Sequence, residues 1–182
     1  VIPELINGKK VVSIQGDAFA CNNNIKQVII PNTLIEIGDG KGAFYECTNL
    51  NSVIIPDDSQ LRYIGEWAFY GCTALSSIKL PKTIKKLGLS CFQGCINVEE
   101  MILPDGIEVV CQNALTSTGI TNLNIPATVT EFSVANDLPR LEHIDVDEEN
   151  PIYLSYNGAL YYYGPWVSTS IDFDGNMNIV ER

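Results

Sequence analysis

The chain has 182 residues, 46% of them apolar, and a formal charge of −11. That is enough apolar material for a continuous core, while the acidic balance argues against nucleic acid or an anionic membrane as partner, since both reward clustered Lys and Arg. No apolar run approaches the roughly 18 residues that a spanning helix needs, so no membrane insertion is expected.

In chain order, residues 1 to 24 supply a partial first coil: Val11 and Ile14 match the later pair Leu34 and Ile37, and Ala18-Phe19 closes the unit. Lys10-Val11-Val12-Ser13-Ile14 already reads as the second half of a repeat. The chain is therefore taken as a piece of a longer protein, and the lack of a secretory signal peptide at Val1 carries little weight. Four full repeats occupy residues 25 to 120. Pro31, Pro56, Pro81, Pro104 and Pro126 each end a short apolar run, at intervals of 25, 25, 23 and 22 residues. Periods of this length signal a solenoid.

Each unit follows one layout. Six residues before the proline stands an aliphatic residue (Ile25, Leu50, Leu75, Val98, Ile120), and another often follows three residues after it (Leu34, Ile84, Ile107, Val129). The alternating segments around Val28, Val53, Ile78, Met101 and Leu123 predict short strands, each ended by a proline that cannot donate the next ladder bond. Stacked coils would join these strands into a parallel sheet. The segments Ala18-Phe19, Ala43-Phe44, Ala68-Phe69, Cys91-Phe92 and Ala114-Leu115 read as helical or 3₁₀ turns, the small residue allowing close approach and the large one filling the interior. Two insertions of turn composition, 38–42 and 57–60, lengthen the earlier periods. After Thr121 the pattern weakens, and Leu141 to Val146 repeats the strand with Asp147 in the proline position. The expected organisation is thus a repeat array over 1–146 and a hairpin-rich C-terminal cap over 147–182, covering the open edge of the stack.

The motif Ala-Phe-x-Gly-Cys-x-x-Leu-x-x-Ile-x-Leu-Pro, matched five times in tandem, resembles the BspA-type leucine-rich repeats of bacterial surface proteins over roughly residues 9 to 161. Asn150-Pro151 with Tyr153, Ser155 and Gly158-Ala159-Leu160-Tyr161 is similar to a segment that follows such repeats, with Asn157 replacing an aspartate. Departures are Asn22 and a missing residue near Thr118 in the cysteine column, and no Ala-Phe in the sixth unit. The resemblance implies an α/β repeat solenoid: a right-handed leucine-rich-repeat coil with its short-stranded parallel sheet on the concave side. It also implies a non-enzymatic, exported protein used in adhesion or protein binding, at the cell surface or outside the cell.

Candidate chemistry is sparse. Cys47, Cys72 and Cys95 share one repeat column, so their Cα–Cβ vectors run parallel about 4.8 Å or more apart, whereas a disulfide wants converging Cβ atoms about 3.8 Å apart. They read as buried thiols. Cys91 and Cys111, off that column, form the one plausible bridge. With no Cys-x-x-Cys, and only His143 to assist, no metal site is expected. No nucleophile, acid and base converge, so catalytic residues and cofactors are both read as none. Asp172-Phe173-Asp174-Gly175-Asn176 faintly resembles a calcium loop, but the glycine comes one step early and a hairpin turn is preferred. Asp145 with Asp147 to Glu149 reads as a solvated acidic edge.

The candidate partner-binding residues come from alternation. With Val28 and its equivalents inward, one outward column is Gln27, Ser52, Ser77, Glu100, Asn122 and His143; the other is Ile29, Ile54, Lys79, Ile102, Asn124 and Asp145. Isoleucine suits a half-exposed strand on propensity alone. An apolar strip with polar neighbours is also the composition of a partner surface. Six strands give a patch on the order of 300 Å², below the roughly 800 Å² per partner of a standard interface, so flanking loops or further coils must contribute. A protein partner is the first expectation. A glycan is the second, favoured by the polar column and by Tyr153, Tyr156, Tyr161, Tyr162, Tyr163 and Trp166. A spacer displaying another domain is the third.

Overall fold

The computed structural model of the chain describes residues 1–40, 42–133 and 137–162, together with the strands Ser168–Ile171 and Met177–Val180. It is a β-solenoid of about six turns, matching the expected repeat coil. An N-terminal hairpin, β1 (Leu5–Ile6) and β2 (Lys9–Lys10), leads into the stack. The chain then passes between two faces: β3 (Ser13–Gln15), β4 (Gln27–Ile29), β5 (Glu36–Asp39), β6 (Ser52–Ile54), β7 (Tyr63–Ile64), β8 (Ser77–Ile78), β9 (Lys86–Leu87), β10 (Val109–Val110), β11 (Asn122–Ile125), β12 (Glu131–Phe132) and β13 (His143–Val146), with β9 and β10 falling on the same one. The antiparallel strands β14 (Tyr153–Tyr156), β15 (Ala159–Tyr162), β16 (Ser168–Ile171) and β17 (Met177–Val180) follow.

The strands that precede the prolines make the expected parallel face, here called the proline sheet, but in two pieces. β4, β6 and β8 form one ladder and β11 with β13 another. The strand expected around Met101 does not form: Met101 is buried, yet residues 99–103 join neither ladder. Among the described residues the backbone bond at this segment runs from the Thr121 N–H to the Glu99 carbonyl, 3.4 Å away, too little to extend either sheet. The longest sheet is the other one. β3, β5, β7, β9, β10 and β12 pair in parallel through all six coils, immediately before the column held by Gly65 and Gly88, and we call it the glycine sheet. Its glycines are required by contact: a Cβ on Gly65 would stand 1.9 Å from the Gly38 carbonyl oxygen.

The third side corrects the expected helical or 3₁₀ turns. No helix occurs among the described residues. In the segment after Gly65, alternate N–H groups point in different directions. Those of Trp67, Phe69 and Gly71 donate to Leu89, Cys91 and Gln93 of the next coil at 2.9, 2.8 and 2.8 Å, while those of Ala68, Tyr70 and Cys72 donate three residues back. A helix needs every N–H within its own segment; here half are committed to the neighbouring coil. Left-handed residues at Trp67 (φ 53°) and Gly71 (φ 67°) impose the alternation, and Ser90 with Gly94 and Asn113 with Ser117 repeat it. For non-glycine residues that conformation costs about 1–2 kcal/mol, offset by the inter-coil bonds it makes possible.

Inside, the phenylalanines form one continuous pile. Phe19, Phe44, Phe69 and Phe92 stack with ring centroids 5.2, 5.3 and 5.4 Å apart and planes within 8°. Phe44, Phe69 and Phe92 are fully buried, and Phe19, at the end of the pile, is partly so. The cysteine column runs beside them: the Cys47, Cys72 and Cys95 thiols donate to the carbonyls of Phe19, Phe44 and Phe69 in the preceding coil at 3.0, 3.1 and 3.1 Å. Thr118 occupies the next place in that column, its hydroxyl donating to the Leu115 carbonyl at 2.7 Å. The missing residue therefore lies after Thr118, where Gly119 packs so close that a Cβ would meet the Ile96 carbonyl oxygen at 2.6 Å.

At the corners after β4, β8 and β11, threonine hydroxyls tie one coil to the preceding one. Thr33, Thr83 and Thr128 donate to the carbonyls of Val11, Leu61 and Ile107 at 2.8, 2.7 and 2.6 Å. At the far end Asn150 reaches back, donating to the Pro126 and Val129 carbonyls at 2.8 and 3.1 Å and accepting from the Ile152 and Tyr153 N–H groups. The Phe132 N–H of edge strand β12 donates to the Tyr153 hydroxyl at 2.8 Å, and the two rings meet edge to face. Side chains thus satisfy backbone groups that a further coil would otherwise take.

Because each inner ring has a ring on both sides, Phe69→Ala should cost about 3–5 kcal/mol in urea unfolding. Phe19→Ala, with one ring neighbour and partial exposure, should cost distinctly less; equal losses would contradict the stack.

Candidate functional site

The proline sheet delivers the alternation read from the sequence. Val28, Val53, Ile78, Met101, Leu123 and Ile144 are all buried. On either side of them Gln27, Ser77, Glu100, Asn122 and His143 are exposed and Ser52 is half-buried, in the column that registers Gln27 with Ser52 and Ser77, then Asn122 with His143. In the second column Lys79, Asn124 and Asp145 are exposed, Ile54 is 43% and Ile102 71% exposed, and Ile29 is half-buried. Ile29 lies at the first coil, where the Ile2 N–H donates to its carbonyl at 3.2 Å.

These residues form two chemically distinct fields. Ile29, Ile54 and Ile102 lie among polar side chains in the first four coils; at β11 and β13 lie only Asn122, Asn124, His143 and Asp145, with the His143 Nε2 3.1 Å from an Asp145 carboxylate oxygen. The isoleucines are not a continuous strip. Lys79 stands between Ile54 and Ile102, and its ammonium leans toward Asp57 in the 57–60 insertion, Nζ to Oδ1 2.6 Å. That contact lowers the Asp57 carboxyl below its usual range, first through the hydrogen bond and then through the lysine charge. Both partners are exposed, so the pair orients the loop more than it stabilises the fold.

The cysteines are free thiols. Burial pushes Cys72, Cys91 and Cys95 far above the ordinary thiol range, with neighbouring thiols adding to the effect, and raises Cys47 less. Cys111 is half-buried; desolvation raises it while Lys86 acts in the opposite sense. Cys91 and Cys111 are unbridged, the Cys91 thiol facing the Ala114 carbonyl oxygen at 3.8 Å. Among the described residues no group of three or more His, Cys, Asp or Glu side chains converges as metal ligands do, and no helix is long and apolar enough to cross a membrane. Of the aromatics weighed for a glycan, Tyr153 is engaged with Phe132, Tyr161 is half-buried, and Tyr156 and Tyr162 are exposed. Tyr163, Trp166 and residues 172–176 lie outside the described residues.

The family model for the BspA type leucine rich repeat region matches residues 12–135 in six copies. The chain belongs to this family. Solved structures share its coil. The pneumococcal vaccine antigen PcpA superposes with a TM-score of 0.74 at 22% identity, over 89% of this chain and 43% of its own. A leucine rich cell surface protein from Faecalibacterium prausnitzii gives 0.65 at 24%, over 100% and 53%. The T. pallidum leucine rich repeat protein TpLRR gives 0.62 at 23%, over 80% and 71%. The chain thus spans less than half of PcpA and about half of the Faecalibacterium protein. No curated protein matches its sequence significantly.

For this BspA-type array, three features escaped the sequence reading. The Pro-x-Thr pattern of Pro31-Asn32-Thr33, Pro81-Lys82-Thr83 and Pro126-Ala127-Thr128 marks the inter-coil hydroxyl bonds. Tyr63-Ile64 and Lys86-Leu87 alternate outward and inward as the proline-sheet strands do, and they mark the second face. Asn150 and Tyr153 mark the edge contacts.

The raised thiols give a test. Iodoacetamide at about pH 8, just below the usual thiol value, should modify exposed Cys21 first and Cys72, Cys91 and Cys95 only as the chain unfolds. A raised folded-state value means that the neutral thiol favours the fold, so this stability is complete below the unfolded value of about 8.5 and is lost as pH rises above it. The urea midpoint should fall above that pH, and Cys72→Ala should flatten the fall. Uniform labelling of all six cysteines in folded protein would contradict the burial.

Proposed function

We propose that the chain is a non-enzymatic protein-binding module of an exported bacterial surface protein, and that it engages its partner through the outward columns of the proline sheet. The observation that carries the reading is the exposure of Ile54 and Ile102 on an otherwise polar strand face. Burying aliphatic side chains of this kind contributes about 1.5–3 kcal/mol each, and the surrounding Ser52, Ser77, Glu100, Asn122 and Asn124 supply the polar rim that protein interfaces carry. Family membership supports a repeat scaffold in which stability resides between coils and leaves outward side chains free to vary. Two solved proteins with this coil, a vaccine antigen and a cell surface protein, support a surface location. On this reading residues 1–146 form the array and 147–182 close its C-terminal edge.

The test is the double variant Ile54→Glu and Ile102→Glu, assayed by surface plasmon resonance against a panel of extracellular-matrix proteins and intact epithelial cells. The wild type should bind at least one of them and the variant should lose about ten-fold or more in affinity, with an unchanged thermal transition. Binding retained by the folded variant would rule out this face.

A further inference from the structure

The charge of the chain is not evenly spread. Residues 62–86 hold five basic side chains, Arg62, Lys79, Lys82, Lys85 and Lys86, and one acid, Glu66, a local +4 in a chain of −11, so the remaining residues carry −15. The fold gathers these five along one ridge. Lys79 follows β8 on the proline sheet, Lys82 stands on the corner after Pro81, and Lys85 and Lys86 enter β9 on the glycine sheet. There the Lys85 N–H donates to the Arg62 carbonyl at 2.8 Å and Lys86 pairs in register with Tyr63, which brings Arg62 alongside. Lys85 and Lys86 both direct their N–H groups to that one carbonyl, and so do Arg62 and Tyr63 to Ile35. Arg62 and Tyr63, though adjacent in sequence, are both exposed, as is Lys86.

Two of the five cations are paired with carboxylates, Lys79 with Asp57 at 2.6 Å and Lys85 with Glu108 at 2.8 Å, the latter also donating to the Gly106 carbonyl at 3.0 Å, while Lys86 meets the Cys111 thiol. Arg62, Lys82 and Lys86 have no carboxylate within 4.0 Å among the described residues. Beside them on the same face stand Tyr63, 40% exposed, Ile35, 37% exposed, and half-buried Val109.

We infer that the corner ridge of Arg62, Lys82 and Lys86, with Tyr63 and Ile35, is a docking surface for an acidic segment of a partner protein, one that carries apolar side chains between its carboxylates. Cations with no carboxylate at ion-pair distance, in a strongly acidic chain, select a partner of opposite sign and steer its approach. The aliphatic neighbours distinguish the partner's class: a sulfated polysaccharide would meet the cations and could stack on Tyr63 but offers nothing apolar to Ile35 and Val109, whereas a peptide with apolar side chains buries all three. The inference rests on the protein-binding reading but places contact on the corner and the glycine sheet, not on Ile54 and Ile102.

The test is fluorescence anisotropy of the whole chain with a labelled short peptide in which Glu alternates with Leu and Tyr. The peptide should bind the wild type, more weakly as salt is raised, and Lys82→Glu with Lys86→Glu should weaken it by about ten-fold or more. Lys82→Gln with Lys86→Gln, which removes the charges and keeps most of each side chain, should give a smaller loss in the same direction, and the thermal transitions should match wild type. Ile54→Glu with Ile102→Glu should leave peptide binding unchanged. No binding, equal binding by the charge variants, or capture of heparin but not the peptide would overturn the inference. So would loss of peptide binding in the isoleucine variant, which would move the peptide to the proline sheet. If the isoleucine variant keeps its matrix-protein binding while the lysine variants lose the peptide, the earlier reading falls and this one stands.

Discussion

Contact between successive coils is the constraint on which the rest of this molecule depends. One coil cannot bury its own phenylalanine, and one two-residue strand cannot hold itself straight. Each ring of Phe44 and Phe69 lies between two others about one strand spacing away, and the backbone of every coil shares its N–H groups with the next. The same alternation that hands N–H groups to the neighbour prevents a helix on the turn side, so the coil has three laddered sides around its aromatic spine. Threonine hydroxyls at one corner and cysteine thiols beside the rings add further bonds of the same kind, always directed one coil back.

This arrangement separates stability from recognition. Inward positions are fixed by the ring stack and by close approaches such as Gly65 against Gly38. Outward positions on both sheets are constrained by little except solubility. The proline sheet places Ile54 and Ile102 outward among polar side chains, and the glycine sheet places Tyr63 and Lys86 outward beside Arg62. The two faces of one stack thus differ in chemistry.

Much of this was legible in the residues, for identifiable reasons. The proline spacing fixed the coil length, and the alternation around Val28, Val53 and Ile78 assigned inward and outward sides correctly because a period of two survives even in three residues. The glycine sheet was not legible: β7, β9 and β10 have two residues each, too few for a period to show. The turn side misled because Ala-Phe pairs suit a helix and because the first left-handed place of the turn is taken by Trp67, Ser90 or Asn113, where glycine would have given the signal. Residues 99–103 look like their neighbours in sequence yet lack the ladder bonds. At the candidate site, exposure was readable but context was not: the contact of Lys79 with Asp57 and the partial covering of Ile29 depend on residues 22 and 27 positions away.

The most direct test of the coil-on-coil account is nuclear Overhauser spectroscopy on protein with labelled phenylalanine rings. The account predicts ring-to-ring cross-peaks between Phe44 and Phe69 and between Phe69 and Phe92, with none between Phe44 and Phe92. Rings that show no contact along this series, or contacts that skip a coil, would contradict it.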